Sequence, residues 1–404
     1  MSKVYIVSAK RTAVGSFMGS LSGVKSAKLG GAVIRNIIEE TKIDPKNIDE
    51  VILGNVLSAG QGQGVGRQAA IDGGVPVEVP AYTVNIICGS GMKSVMLAYN
   101  AIKSGEANLI MAGGVESMST APYLIPESTR SGHKMGDFKT IDHMVFDALT
   151  DAFEGYHMGV TAENIAVKYS LSKESQDIFA IESQRRAIAA IDSGRFKDEI
   201  VPIEVRSKRK IVIFDTDEHP NRKTSLEKLG KLKTIFKKDG TVTAGNASGI
   251  NDGASVMLVA SEEAIAKYNL TPLVEVVATG QGGVDPSIMG MGPVPAIANV
   301  LKKAGMTLKE IELLELNEAF AAQSLGVMTE LTNQYDVTMD WFPDKTNVNG
   351  GAIALGHPVG ASGNRITTTL IHEMKKREVN FGLASLCIGG GMGTALILKN
   401  VMSK

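Results

Sequence analysis

Cys88 stands in Asn85-Ile86-Ile87-Cys88-Gly89-Ser90-Gly91 and is one of only two cysteines in the chain. Upstream, Tyr82 to Ile87 is rich in β-branched and aromatic residues and reads as a buried strand. Downstream, Met92, Val95, Met96, Tyr99 and Ile102 fall at helical spacing. The thiol thus lies where a strand gives way to a helix start. Partial positive charge there favours a thiolate, so a depressed pKa and a nucleophilic sulfur are expected. A small buried hydrophobe is the competing reading. The far end of the chain supplies partners. His357, in Gly356-His357-Pro358, is surrounded by glycine and alanine, which suits a narrow channel where an imidazole polarises a thiol or an oxygen. Cys387 ends an apolar run and precedes Gly389-Gly390-Gly391, with backbone N–H groups free. Asn317, in Leu316-Asn317-Glu318-Ala319-Phe320, places an amide after another apolar run. Each motif alone is equally a core or turn feature. Together they put two thiols, an imidazole and an amide at strand ends, where open α/β sheets hold their ligands.

The elements that must carry these residues repeat. Val84-Asn85 opens a strand–turn–helix unit whose next strand is Asn108 to Ala112, ending in Gly113-Gly114. Val348-Asn349 opens a second unit, with a helix start at Gly360-Ala361-Ser362-Gly363 and a next strand from Phe381 to Leu386. Two βαβ units in the same order imply a duplicated α/β architecture with mostly parallel sheets. Between them, residues 119–250 change character: helical patterns such as Lys173 to Asp192 alternate with polar connections, as in an inserted domain.

Bulk properties narrow the functional classes. At 404 residues the chain exceeds one ordinary core, and its net charge of −1 offers no global field for nucleic acid or an acidic membrane. Apolar and charged contents of 44% and 21% describe a soluble globular protein. Two cysteines rule out a disulfide framework and fit a reducing compartment. Strand-like Val4 to Val7 runs straight into Lys10-Arg11, with no signal-peptide core or membrane span, and Met402-Ser403-Lys404 is not the Ser-Lys-Leu peroxisomal address; a cytoplasmic protein is expected. The six histidines show no metal-ligand spacing with cysteine, and the glycine runs fit neither a dinucleotide fingerprint nor a P-loop. Basic residues cluster at 221–238 and in Arg206-Ser207-Lys208-Arg209-Lys210, either as a solvated face or as a landing site for the phosphates of a nucleotide carrier.

With these motifs in order, the chain resembles the thiolases, most closely the biosynthetic acetyl-CoA acetyltransferases. The resemblance runs from Arg11-Thr12 to Gly393-Thr394-Ala395 and rests on Asn85-x-x-Cys88-Gly-Ser-Gly, Gly113-Gly114-Val115-Glu116-Ser117-Met118-Ser119, Asn317-Glu318-Ala319-Phe320, Gly356-His357-Pro358 and Cys387-x-Gly389-Gly390-Gly391. It implies a five-layer α-β-α-β-α thiolase fold of duplicated halves: an N-terminal half (1–118 plus 251–270), an inserted helical loop domain that binds CoA (119–250) and a C-terminal half (271–404). It also implies a ping-pong Claisen condensation of two acetyl-CoA to acetoacetyl-CoA plus CoA, with thioester substrates and no prosthetic group or metal. Cys88 would carry the acetyl group, His357 would be its base, and Cys387 would take the α-proton. His357 and a water positioned by Asn317 would hold the enolate oxygen, and the backbone N–H groups of Cys88 and Gly389 the tetrahedral one.

The resemblance implies His157, Met158 and Met289 along the acyl site, Ser248 beside the pantetheine or its thioester, and Ala247, Ala319, Phe320 and Arg222 among the other substrate- and CoA-binding residues, leaving open which basic residue meets the adenosine phosphate. The methionines are also ordinary core fillers. A short acyl pocket is expected, with a degradative 3-ketoacyl-CoA thiolase of broader chain length as the alternative. Two features depart from typical relatives. The basic residue in His219-Pro220-Asn221-Arg222 sits one step late, and Thr332 to Lys345, with the only tryptophan, Trp341, is long and reads as a surface excursion. A homo-oligomer, tetramer or dimer, is the family expectation.

Overall fold

A computed structural model describes residues 3–207 and 210–401, so Lys208 and Arg209 of the basic run, and residues 402–404, lie outside the described residues. The main strands are β1 (Val4–Thr12), β2 (Glu50–Gly54), β3 (Ala81–Val84), β4 (Leu109–Ser117), β5 (Asn251–Ser261), β6 (Val274–Gly283), β7 (Leu313–Leu316), β8 (Phe381–Ile388) and β9 (Met392–Asn400). They follow one path in the order β7-β8-β9-β6-β1-β5-β4-β2-β3. At β6–β1 only Tyr5 with Glu275 and Ile6 with Val274 are paired, so the path divides there into two halves.

The halves share one pairing pattern. β2 and β4 are parallel, as are β7 and β8; β4–β5–β1 and β8–β9–β6 are antiparallel. Even the edge is echoed, because Thr346 bridges Leu314 in parallel as β3 runs parallel to β2. The expected duplication is present, but mostly parallel sheets are not. β8 and β9 are joined through Gly389-Gly390-Gly391, and a connection that short can only join antiparallel strands. The segment expected as a buried strand from Tyr82 to Ile87 is also different: β3 stops at Val84, has β2 as its only sheet neighbour among the described residues and leaves Tyr82 exposed. Aromatic and β-branched residues suit an edge as well as a core strand.

The longer helices among the described residues are α1 (Ser26–Thr41), α2 (Val65–Asp72), α3 (Ser90–Ser104), α4 (Met158–Lys168), α5 (Lys173–Asp192), α6 (Pro293–Ala304), α7 (Ala321–Gln334) and α8 (Val359–Arg377), with α4 and α5 in the chain between β4 and β5. α1 and α2 cover the outer face of the N-terminal sheet, and α6 and α7 that of the other. α3 and α8 are sandwiched between the sheets, where Met92, Val95, Ile366 and Leu370 meet strand residues from both halves. The result is the α-β-α-β-α stack.

Ser117 at the end of β4 pairs with Asp252 at the start of β5, so the chain between them leaves and re-enters the sheet at one point. Arg11 of β1 fastens this excursion to the core. Its buried guanidinium takes Glu199 at 2.6 Å and both oxygens of Asp217 at 2.7 and 2.9 Å. Thr332 to Lys345 is less of a surface excursion than expected, because Phe342 is fully buried against α7 and the outer core.

Candidate active site

The turn that presents Cys88 is strained and locked. Ile87 has φ +47°, a left-handed conformation that a β-branched residue rarely adopts. Asn85 Oδ1 accepts from Ile87 N at 2.9 Å, while Ser90 Oγ accepts from Ile86 N at 2.9 Å and donates to Ile87 O at 2.7 Å. Cys88 follows immediately, two residues before α3, and faces a cavity of about 610 Å³. Cys387, Gly389 and His357 line the same cavity, although the two thiols are 299 positions apart in the chain.

The thiol of Cys88 does not have the depressed pKa that a helix start suggests. The N–H groups of Gly389 and of Cys88 itself favour the thiolate, but enclosure by protein outweighs them, Glu116 adds repulsion, and the pKa is pushed up to about 11. Desolvation of a charge exceeds what two backbone dipoles return. Cys387 is raised further still, by burial and then by the neighbouring Cys88. Both sulfurs rest as thiols, so the nucleophile needs a base.

His357 is placed to be that base. Ser362 Oγ donates its single proton to Pro358 O at 2.9 Å, so at the 2.6 Å contact with His357 Nδ1 it must accept. The ring proton is therefore on Nδ1, and Nε2, which has no partner among the described residues, carries the free lone pair. Burial first, then the Arg365 charge, lowers the pKa to about 4 and keeps the imidazole neutral.

The small residues around His357 do not line a channel, as their composition suggested; they are there for packing. A Cβ on Gly360 would lie 2.6 Å from Glu116 Oε2, and one on Gly363 2.7 Å from Met92 N, where α8 crosses the start of α3. Glu116 clamps this crossing, accepting from Val56 N, Leu57 N, Gly360 N and Asn55 Nδ2.

Asn317 is held from both sides. Asn347 brackets Leu316 by accepting from its N–H at 2.9 Å and donating to its carbonyl at 2.7 Å, and it donates to Glu318 Oε1 at 2.9 Å. Glu318 Oε2 accepts from Ser183 Oγ at 2.6 Å. The Asn317 amide itself is buried, is not among the residues lining the cavity, and has neither polar atom partnered among the described residues. Its counterpart after β2, Asn55, donates to Val115 O at 3.1 Å and to Glu116 at 2.8 Å. The same position is tied down in one half and left free in the other.

The cavity wall gathers His157, Met158, Met289, Ala247, Ser248, Ala319 and Phe320. His157 caps α4, accepting from Gly159 N through Nδ1 at 3.0 Å, and stacks on Phe236 at 4.6 Å. Ser248 N donates to Ala319 O at 2.9 Å, stitching the excursion to the β7–α7 turn. Arg222 lies away from the cavity, in an exposed pair with Asp192. Such a pair is worth little and is easily exchanged. Among the described residues no His, Cys, Asp or Glu cluster fits a metal. Sequence reasoning did not find Phe236, His219, Ser362 or Glu116 as parts of the site. Ser362 had a detectable signal, a hydroxyl five positions after the histidine at a helix start.

Two thiols, a neutral imidazole with a free lone pair and aimed backbone N–H groups define a site for acyl transfer through sulfur. A thiolase N-terminal domain model matches residues 4–263 and a thiolase C-terminal domain model residues 270–400. The acetyl-CoA acetyltransferase of Pseudomonas aeruginosa is 54% identical over 98% of this chain and 99% of its own length, and that of Escherichia coli K12 50% identical over 99% and 100%. Among solved structures, a Bacillus anthracis acetyl-CoA acetyltransferase superposes with TM-score 0.94 at 42% identity, covering 99% of both chains. Human mitochondrial 3-ketoacyl-CoA thiolase in complex with CoA gives 0.93 at 45%, covering 99% and 98%. The chain belongs to the thiolase family and is an acyltransferase.

Proposed function

We propose that this enzyme is an acetyl-CoA C-acetyltransferase that reversibly condenses two acetyl-CoA to acetoacetyl-CoA and CoA. The observation that carries the reading is the shared cavity of Cys88, His357 and Cys387. In the first half-reaction the Cys88 sulfur attacks the thioester carbonyl as its proton passes to His357 Nε2. The carbonyl oxygen is received by the N–H groups of Cys88 and Gly389, and His357 returns the proton to the departing CoA sulfur. In the second, His357 holds the Cys387 proton while the Cys387 thiolate removes an α-proton from another acetyl-CoA. The high pKa of Cys387 makes its thiolate a strong base for a weak carbon acid. The enolate oxygen is stabilised by the His357 imidazolium and by the neighbourhood of the Asn317 amide. Its carbon then attacks acetyl-Cys88, and the Cys88 thiolate is reprotonated from His357.

Coenzyme A thioesters enter as substrates, and the residues named complete the proton bookkeeping without a prosthetic group. Met158 and Met289 at the wall favour acetyl and acetoacetyl over long chains, and Arg222 and its basic neighbours suit the CoA phosphates. Exposed apolar side chains at Tyr82, Met135 and Phe138 support a homo-oligomer. No helix among the described residues is long and apolar enough to cross a membrane; the cytoplasmic assignment rests on the resemblance to bacterial acetyl-CoA acetyltransferases. Incubation with acetyl-CoA should leave an acetyl group on Cys88 in a peptide mass spectrum, followed by acetoacetyl-CoA release. Thiolysis fastest on long 3-ketoacyl chains would overturn the short-chain assignment.

A further inference from the structure

A second cavity of about 230 Å³ lies on the other side of the 317–320 segment and shares no lining residue with the first. Ala319 and Phe320 face the catalytic cavity; Glu318 faces this slot. One wall is a face of α5 carrying Ile178 and Phe179, another is Leu325 and Met328 of α7, and the lid is Met339 and Phe342 from the long Thr332–Lys345 stretch. Among the polar residues lining it is Thr346, which is 3% exposed and whose Oγ1 has no partner among the described residues. A buried hydroxyl left unpaired beside open space is a hydrogen-bonding group awaiting a ligand atom.

The slot opens beside a wider cleft of about 500 Å³, sharing Arg186 and Pro343 with it. Four guanidiniums line that cleft: Arg185, Arg186, Arg195 and Arg377. Among the described residues two carboxylates pair with them, Glu182 holding Arg185 and Arg186, and Glu373 holding Arg195 and Arg377. Asp344, also in the wall, halves the remaining positive excess without cancelling it. Arginine is the side chain best matched to the paired oxygens of phosphate or carboxylate.

We infer that the slot and the cleft form one ligand site, separate from the catalytic cavity, for a small amphipathic anion. Its apolar body fills the slot between α5 and α7, a polar atom meets Thr346, and its phosphate or carboxylate head lies among the arginines. Neither half alone accounts for the arrangement. A simple anion would leave the apolar slot unfilled, and a neutral apolar molecule would leave the arginine cleft without its counter-charge.

Titration calorimetry on the 404-residue enzyme saturated with CoA, which under the proposed function fills the catalytic cavity, tests this with four probes: hexyl phosphate, hexanoate, inorganic phosphate and hexanol. Saturable one-to-one binding of hexyl phosphate or hexanoate is expected, at least tenfold tighter than inorganic phosphate and hexanol. Whichever of the two anions binds tighter identifies the head group. Ile178→Trp plugs the slot from a half-exposed position and should abolish binding. Arg185→Gln with Arg377→Gln should weaken it at least tenfold, and both variants should keep condensation activity. The site is overturned by no saturable binding, by affinity unchanged in Ile178→Trp, or by inorganic phosphate or hexanol binding as tightly as hexyl phosphate.

Discussion

Ser362 Oγ accepts the Nδ1 proton of His357 at 2.6 Å and spends its own proton on Pro358 O at 2.9 Å. That chain of two hydrogen bonds decides which ring nitrogen keeps a free lone pair. Ser362→Ala removes the acceptor, so the ring is free to rotate or to change tautomer. Leaving the buried Nδ1 donor unpaired costs about 1–3 kcal/mol, which corresponds to roughly 5–150-fold in kcat. Ser362→Thr keeps an acceptor oxygen and should recover most of the rate. Steady-state kinetics on both variants checks this, with little change expected in KM.

The low pKa of His357 should be visible in the acid limb of activity. The lone pair at Nε2 is lost only as pH falls toward about 4, so kcat/KM for acylation should stay flat between pH 7 and 5. A limb centred near 6.5, the ordinary imidazole value, would contradict the buried environment. Stability is the less discriminating readout because two groups oppose each other. Between 6.5 and 4 the unfolded chain binds a proton that native His357 refuses, so this contribution weakens as pH falls. Glu116 is held up to about 7 by burial, so native Glu116 binds a proton that the unfolded chain has released, and its contribution weakens as pH rises from 4.5 to 7.

Much of this was legible in the sequence because chemistry concentrates in unusual residues. Two cysteines and one glycine-flanked histidine marked the site, and the βαβ echo marked the duplication that the paired strand orders display. Local composition misled where three-dimensional context decides. A helix start predicts an acidic thiol, yet enclosure of Cys88 raised it. Glycines around His357 resembled a channel lining, yet Gly360 and Gly363 are small because α8 crosses α3 at contact distance. The strain at Ile87 left no trace at all, since nothing in the residue type announces a positive φ that Ser90 and Asn85 enforce from either side.

Glu116→Gln should damage the scaffold more than the chemistry. Its two oxygens accept four hydrogen bonds, from Val56, Leu57 and Gly360 backbone N–H groups and from the Asn55 amide. A glutamine turns one of those oxygens into a donor facing other donors. Leaving a buried donor unpaired costs about 1–3 kcal/mol, so a lowered Tm is expected, measured by calorimetry. Because α8 begins at this clamp, the acylation rate should fall as well, but by less than in Ser362→Ala.

Asn317→Ala removes an amide whose oxygen and nitrogen have no protein partner. Nothing in the fold depends on those atoms, so Tm should stay within about 1 kcal/mol equivalent of the parent, apart from a small cavity. Condensation, which relies on stabilising the enolate, should drop about 10²–10³-fold. Formation of acetyl-Cys88 should be nearly unaffected, because the N–H groups of Cys88 and Gly389 remain. Rapid-quench measurement of both half-reactions separates the two; equal losses in both would remove Asn317 from the enolate step.

Met289 tests the limit on acyl length. It is 3% exposed, lines the catalytic cavity and packs in one cluster with Met158 and Phe320. Replacing it with alanine opens space on the acyl side without touching a hydrogen bond. One methylene in an apolar pocket is worth about 1–3 kcal/mol, so the kcat/KM ratio for 3-ketohexanoyl-CoA over acetoacetyl-CoA in thiolysis should rise roughly tenfold or more. The gain should come from the longer substrate rather than from loss of the shorter one, because Cys88, His357 and Cys387 keep their positions. If the ratio does not move, chain length is set elsewhere in the wall, and Met158, which also lines the cavity near Gly389, becomes the residue to change.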